Sequence, residues 1–126
     1  MAKKKFIKFF KPENEPKQVI VKSQYYDNLE FVLDSTFVTF GKVIADKFSF
    51  EAKTKVNQLA NFSDIHPKCR FVENTPTKTY RNILINSYYI VYYVKKNTVT
   101  VLDIIYQAKS PANITKDIKK AEKSEN

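Results

Sequence analysis

The last third of the chain contains three segments rich in tyrosine, isoleucine and valine that are separated only by short polar turns. The segments cover residues 79–86, 88–94 and 99–106, and the turns between them hold Asn86-Ser87 and residues 95–98. Aromatic and β-branched residues favour strands, and turns this short join strands that run antiparallel. The pattern therefore predicts a three-stranded antiparallel meander, which any fold of this chain has to accommodate.

A helix is predicted before this meander, over residues 24–40. Ser23 is suited to cap its start, because a serine side chain can accept a hydrogen bond from the first turn of a helix. Mostly apolar side chains recur in this stretch at spacings of three and four, the stripe of an amphipathic helix. The stripe consists of Tyr26, Leu29, Leu33, Thr36 and Phe40, and Tyr25, Val32 and Phe37 widen it.

Gly41, the only glycine in the sequence, follows that stretch. Helices commonly end at a glycine in the left-handed conformation, so Gly41 is predicted to end the first helix. A second helix should then run to about residue 61 and form a hairpin with the first. Residues 68–79 are predicted to be an irregular connection or a weak edge segment. The stripe of the second helix contains Ile44, Phe48, Ala52, Val56 and Leu59.

A short β-branched segment at 18–22 precedes the helices and is predicted to be a strand. If it joins the edge of the meander, the result is a two-layer α+β fold, with the helix hairpin on one face of a four-stranded sheet. The other face would then be comparatively open. The chain divides into a basic N-terminal arm at 1–17, a folded domain at 18–111 and a charged tail at 112–126. The tail shows no convincing apolar stripe, so a frayed helix or disorder is expected there.

Composition limits the function classes further. A chain of 126 residues suits one domain, and its formal charge of +9 favours polyanions or acidic proteins as partners. Cys69 is the only cysteine, so a disulfide within the chain is excluded and a reducing compartment is expected. No apolar run reaches about eighteen residues, so no membrane partner is expected and the cytoplasm is the default location. No glycine-rich loop or metal-ligand spacing occurs, and neither a metal nor a cofactor is expected.

The order of these elements, together with several short motifs, resembles the RelE/ParE superfamily of bacterial toxins. The matching segments are Val19-Ile-Val-Lys-Ser23, Phe40-Gly-Lys42, Tyr80-Arg81, Tyr88-Tyr-Ile-Val-Tyr-Tyr-Val94, Val99-Thr-Val-Leu-Asp-Ile-Ile105 and Lys109-Ser-Pro111. They span about residues 18–111. The resemblance implies the toxin half of a type II toxin–antitoxin pair, of the kind that stabilises plasmids, neutralised by a small acidic antitoxin. Members of the superfamily either cut mRNA on the ribosome or poison DNA gyrase.

The ribonuclease branch uses cationic side chains on the open face of the sheet, and the resemblance locates those positions in this chain. Arg81 matches one of them on the second strand, but Ile83 stands where a second cation is expected. Tyr89 stands where the third strand usually has an arginine, and Lys109 matches the last cation only approximately. Cations are needed to stabilise a phosphate transition state, so their loss favours the gyrase-poisoning branch. A ribosome-dependent mRNA endoribonuclease, which would be metal-independent, and an inert family member stay open as alternatives.

Arg81, Tyr89 and Lys109 are therefore the candidate catalytic residues if the protein is an enzyme. Arg81, Lys109 and Tyr106 are the candidate contacts with a partner. Simpler interpretations exist: Arg81 could pair with a carboxylate, Lys109 could be an ordinary solvated lysine, and at least half of the strand tyrosines could serve packing. His66, the only histidine, is expected to be a surface residue in a turn rather than a general base.

Overall fold

The computed structural model describes residues 15–124, which form three helices and a four-stranded sheet. In chain order these are β1 (Gln18–Val21), α1 (Ser23–Phe40), α2 (Lys42–Phe62), β2 (Thr79–Ile85), β3 (Tyr88–Lys95), β4 (Thr98–Tyr106) and α3 (Pro111–Lys123). All but the last three residues of the basic arm lie outside the described part of the chain. No helix in the described part is long and apolar enough to cross a membrane.

The sheet has the strand order β1-β4-β3-β2, and only the pairing of β1 with β4 is parallel. β2, β3 and β4 form the meander expected from the sequence. β1 joins its edge, with Gln18 opposite Thr98 and Val21 opposite Val101. Beyond Val101, β4 has no strand neighbour on that side within residues 15–124. The predicted α+β fold is confirmed.

The α1–α2 hairpin covers one face of the sheet and encloses the first of two hydrophobic cores. Gly41 joins the helices with φ of 91°, a left-handed value that disfavours residues with a Cβ atom, and its N–H donates to Phe37 O at 2.9 Å. The stripe predicted for α2 is buried from Phe48 onward, whereas Ile44 is 45% exposed. The hairpin is therefore where the sequence indicated, and its tip is less buried than the stripe suggested.

The prediction for α1 needs two corrections. Ser23 is not the capping residue, because Lys22 occupies that position and makes no side-chain hydrogen bond to the helix. The buried side chains of α1 are Tyr25 and Val32, whereas Tyr26 of the predicted stripe is 58% exposed. Leu29 and Leu33 pack only partly against the core, and Phe40 is exposed. The α1 face that meets the sheet is thus rotated from the predicted one.

The expectation of a frayed or disordered tail is wrong, because α3 packs on the face of the sheet opposite the hairpin and closes a second core. Ser110 caps α3 by accepting a hydrogen bond from the Asn113 N–H at 3.3 Å, and Pro111 occupies the first turn, where its missing N–H costs nothing. The face predicted to be open is therefore partly covered. The buried residues of α3 are Ile114, Ile118 and Ala121, which meet Tyr80, Val91, Leu102 and Ile105 of the sheet.

The connection between α2 and β2 contains no helix or strand, as predicted, and is tied to the sheet edge. A bridge joins Lys68 to Arg81, and the Cys69 N–H donates to the Tyr80 oxygen at 2.8 Å. The Tyr92 hydroxyl donates to the Ser63 oxygen at 2.6 Å. Cys69 is buried, which raises the pKa of its thiol and suits a packing role.

Candidate functional site

Arg81 lies on β2 with its side chain on the face that the helix hairpin covers. Its alternate neighbours Ile83 and Ile85 belong to the first core, whereas Tyr80 belongs to the second. The Arg81 Nη1 donates to the backbone oxygen of His66 at 2.6 Å, and its buried Nε has no hydrogen-bond partner among the described residues. The structure places Arg81 against the turn after α2, not beside the open face as the resemblance implied.

His66 is half-buried in that turn, with its ring edge-on to the ring of Tyr92 at a centroid distance of 6.2 Å. Burial, followed by the positive charges of Lys55 and Arg81, lowers the pKa of His66. The imidazole is therefore mostly neutral near pH 7. It adds no charge to the surroundings of Arg81, which has no carboxylate ion-pair partner within residues 15–124.

Tyr89 lies on β3 and faces the second core. It stands opposite Leu84 of β2, and its ring contacts that of Phe71 at a centroid distance of 5.7 Å. Arg81 and Tyr89 consequently point to opposite faces of the sheet. The structure does not bring these two candidate catalytic residues together.

Tyr106 and Lys109 line a groove of about 530 Å³ between α1, the free edge of β4 and the start of α3. Tyr106 and Phe31 of α1 are 52% and 71% exposed, so the groove presents aromatic side chains to solvent. Two of the three predicted partner contacts therefore share one surface, while Arg81 is not part of it. We call this surface the β4 groove and define it by Asn28, Phe31, Asp103, Tyr106, Lys109 and Asp117.

Asp103 is a buried carboxylate beside this groove that the sequence analysis did not single out. It is 0% exposed and accepts hydrogen bonds from Asn28 Nδ2 at 2.7 Å, Gln24 Nε2 at 2.8 Å and its neighbour Ile104 N–H at 2.8 Å. The residue before it, Leu102, is the extra residue of a β-bulge opposite β3. Burial raises the pKa of Asp103, the three hydrogen bonds lower it, and the net shift is upward. The sequence feature that could have identified Asp103 is the presence of an acidic residue within an otherwise apolar strand segment.

Residues 19–111 match the family described as "ParE toxin of type II toxin-antitoxin system, parDE". The chain belongs to this family. A solved structure titled "Chromosomal ParDE TA system from P. aeruginosa" superposes with a TM-score of 0.58 at 15% sequence identity, over 73% of this chain and 97% of that one. At that identity the likeness shows the fold alone. No curated protein matches the sequence.

A polar cluster holds the end of α3 of this ParE family member on the sheet. The Tyr80 hydroxyl donates to Glu122 at 2.7 Å, and Lys78 forms an ion pair with the same carboxylate. Burial alone would raise the pKa of Glu122, but hydrogen bonds from Lys78 and Tyr80 hold it below its ordinary value. Lys78 also lies over the Tyr93 ring, 4.7 Å from its centroid. The cluster could not be predicted, because the composition of residues 112–126 indicates no ordered helix.

Three cations beside the sheet and the groove are therefore already engaged. Arg81 binds the His66 oxygen, Lys109 pairs with Asp117, and Lys78 pairs with Glu122. Phosphate cleavage needs cationic and acid–base groups that converge on one phosphate. Arg81 and Lys109 do not share a surface, and no group of three His, Cys, Asp or Glu residues within 15–124 is placed to hold a metal ion.

The tip of the α1–α2 hairpin is the largest run of exposed apolar side chains in the described residues. Exposed fractions range from 45% for Ile44 to 83% for Val38. Proteins rarely present clustered large apolar side chains without a partner. Three of these side chains, those of Phe37, Phe40 and Ile44, belong to the stripes predicted to face the core, so the sequence did not identify this surface. We call it the hairpin tip and define it by Phe37, Val38, Phe40, Val43 and Ile44.

Proposed function

We propose that this toxin-family chain inhibits growth by binding DNA gyrase, and that a small acidic antitoxin neutralises it. The observation that carries the proposal is the separation of Arg81 from Tyr89 and Lys109. A docking mechanism needs an exposed apolar surface and no converging cations, and the hairpin tip supplies such a surface. This function agrees with a cytoplasmic location, where gyrase and its DNA are found.

Removing the segment after Pro111 would be a poor test of docking. The segment forms α3, whose apolar side chains close the second core, so deletion would expose Leu102 and Ile105. Any loss of toxicity would then reflect unfolding. Substitutions of side chains that are exposed in the folded chain avoid this difficulty.

The Phe40→Ser, Val43→Ser double variant is expected to weaken inhibition of gyrase supercoiling about tenfold or more, because central apolar contacts dominate protein interfaces. Both side chains are exposed, at 68% and 78%, so the fold should be retained. Phe62→Ser is a matched control, since Phe62 is 53% exposed at the end of α2 opposite to the tip. The measurement is a titration of purified protein into a supercoiling and cleaved-complex assay.

The gyrase proposal fails if wild-type protein leaves supercoiling and cleaved complexes unchanged at concentrations far above those that arrest growth. One observation favours a ribonuclease instead: Arg70 lies 4.8 Å from the centroid of Phe71, which contacts Tyr89, and such surfaces can stack bases. Codon-phased mRNA ends in a translating extract, lost in Arg81→Ala, would establish that alternative. Normal growth on induced expression without the antitoxin would identify an inert family member.

The antitoxin proposal rests on charge. α3 presents four exposed lysines to solvent, at positions 116, 119, 120 and 123, on a chain with a formal charge of +9. A positive surface accelerates capture of an acidic protein by electrostatic steering. The lysines of α3 are therefore the proposed first contact with the antitoxin.

The Lys116→Glu, Lys120→Glu double variant is expected to bind the acidic protein encoded beside it about tenfold more slowly at low salt, and the difference should shrink at high salt. Lys47→Glu with Lys53→Glu changes the net charge equally on α2, where both lysines are exposed. Stopped-flow association rates distinguish the two pairs. Equal slowing would assign the effect to net charge alone, and the absence of any acidic co-purifying protein would contradict the proposal.

A further inference from the structure

The α1–α2 hairpin carries the four most exposed large apolar side chains of the described residues. Two of them lie on α1, Phe31 at 71% and Val38 at 83% exposed, and two lie on α2, Val43 at 78% and Phe50 at 72%. The members of each pair are seven residues apart, about two helical turns, so they share a face of their helix. Large apolar side chains clustered in solvent indicate an interaction surface.

Each pair belongs to a longer row that also contains charge or polar groups. Both rows have the spacing four, three and four, with which one helix packs along another. Asp34 in the first row and Lys47 in the second are exposed, and neither forms an ion pair within residues 15–124. We call these rows the α1 row, defined by Asp27, Phe31, Asp34 and Val38, and the α2 row, defined by Val43, Lys47, Phe50 and Thr54.

The two rows complement each other when they run antiparallel, as α1 and α2 do in the hairpin. Gly41 joins the helices, so residues at similar separations from Gly41 lie at similar heights, and the separations of the counterparts in the two rows differ by one residue, about 1.5 Å. A second copy turned about a two-fold axis parallel to the helices brings each α1 row against the α2 row of the other copy. The residues at matching heights are then Val38 with Val43, Asp34 with Lys47, Phe31 with Phe50, and Asp27 with Thr54.

The charges of the helices favour this crossed pairing. α1 contains three acidic residues and no basic one, a formal charge of −3, whereas α2 contains four lysines and two acidic residues, a formal charge of +2. Pairing α1 with α1 would oppose like charges, and pairing α1 with α2 opposes unlike ones. The hairpin as a whole has a formal charge of −1 in a chain of +9, so it is a face on which two copies repel each other little.

We propose that two copies of this chain associate through their hairpins, with each α1 row packed on the α2 row of the other copy. Every contact then occurs twice: Phe31 packs on Phe50, and Asp34 forms an ion pair with Lys47. The dimer also covers Val38 and Val43 of the hairpin tip, so dimerisation competes with docking of a target there. The inference goes beyond the proposed function and does not depend on which target the toxin has.

Reversal of the Asp34–Lys47 charge pair tests the arrangement in sedimentation equilibrium of the full-length protein. Asp34→Lys and Lys47→Glu, each alone, should raise the dissociation constant of the dimer at least about tenfold, because each sets two pairs of like charges against one another. The double variant restores unlike charges and should return the constant to within about threefold of wild type. The single variants change the net charge in opposite directions, so net charge cannot explain a loss in both.

The apolar part of the interface has its own test. Phe31→Ser combined with Phe50→Ser should also weaken the dimer at least about tenfold, because central aromatic contacts dominate protein interfaces. Phe62→Ser combined with Ile65→Ser is the matched control, since these side chains are 53% and 70% exposed at the other end of the hairpin and in the turn after it. Circular dichroism verifies that each variant is folded.

Wild-type protein that stays monomeric up to its solubility limit would overturn the proposal. A dimer that both single charge variants leave intact would lie on another surface. Loss in both single variants without recovery in the double variant would show that Asp34 and Lys47 do not face each other. Equal weakening by the Phe62→Ser, Ile65→Ser control would remove the assignment to the two rows. None of these measurements contains gyrase, so their failure leaves the proposed target untouched, and a negative supercoiling assay leaves the dimer untouched.

Discussion

Replacing Ile118 by alanine is expected to lower the free energy of unfolding by about 3 kcal/mol. Ile118 is 0% exposed and packs with Ile114 and Ala121 in the second core. Truncation of a buried aliphatic side chain removes its transfer free energy and leaves a cavity, which together cost about 2–5 kcal/mol. Urea unfolding followed by circular dichroism gives the value.

Lys119→Ala is the matched control, because Lys119 is the next residue on α3 and is exposed. Its effect should stay within about 0.5 kcal/mol. If the tail were frayed or disordered, both variants would behave alike. Equal unfolding free energies for Ile118→Ala and wild type would therefore contradict the packing of α3 and with it the second core.

The meander could be predicted because its signals are local. Strand-favouring residues run through β3, and Asn86 in the first turn is of a type that readily adopts positive φ, which it does at 52°. The parallel pairing of β1 depends on contacts distant in sequence, yet the chain order leaves it few places other than the β4 edge. The order of the elements and the family resemblance were sufficient to predict the fold.

The exposed apolar surfaces could not be predicted, because a hydrophobic residue gives the same signal whether it faces the core or a partner. Phe40 and Ile44 fit helical stripes, and both proved exposed at the hairpin tip. α1 contains so many aromatic residues that several of its faces could have formed the apolar stripe. Packing against the sheet selects the face that contains Tyr25 and Val32. Periodicity identified the helices but not the face that each one buries.

The prediction for the tail at 112–126 was wrong for the opposite reason. Only Ile114, Ile118 and Ala121 of α3 are buried, and lysines surround them, so average composition resembled a solvated segment. Three residues at spacings of four and three were enough because the sheet supplies the other side of the core. The face of Arg81 was uncertain for a related reason, since a shift of one residue in a strand moves a side chain to the other face.

Asp103→Ala is expected to lower the free energy of unfolding by about 2 kcal/mol near neutral pH. The substitution removes the acceptor of the Ile104 N–H and of the half-buried Asn28 amide, whereas the Gln24 amide keeps its hydrogen bond to the Asp117 oxygen at 3.1 Å. A buried group left unsatisfied costs about 1–3 kcal/mol. Relief from burying a carboxylate offsets part of that loss. Because these bonds join α1 to β4, amide hydrogen exchange should also increase at the start of α1.

The pH dependence of the difference between wild type and Asp103→Asn tests the charge on Asp103 directly. The folded-state pKa of Asp103 is raised above its ordinary value of 3.8, so the folded chain binds this proton more tightly than the unfolded chain does. Its stabilising contribution is then full below the unfolded pKa and is lost as pH rises through the folded pKa. Glu122, whose pKa is lowered, changes stability in the opposite direction, but it is present in both proteins and cancels in the difference.

The stability of wild type relative to Asp103→Asn should therefore fall as pH increases from about 4 in urea titrations. A relative stability that rises with pH would mean that the hydrogen bonds from Gln24 and Asn28 outweigh the cost of burying the charge.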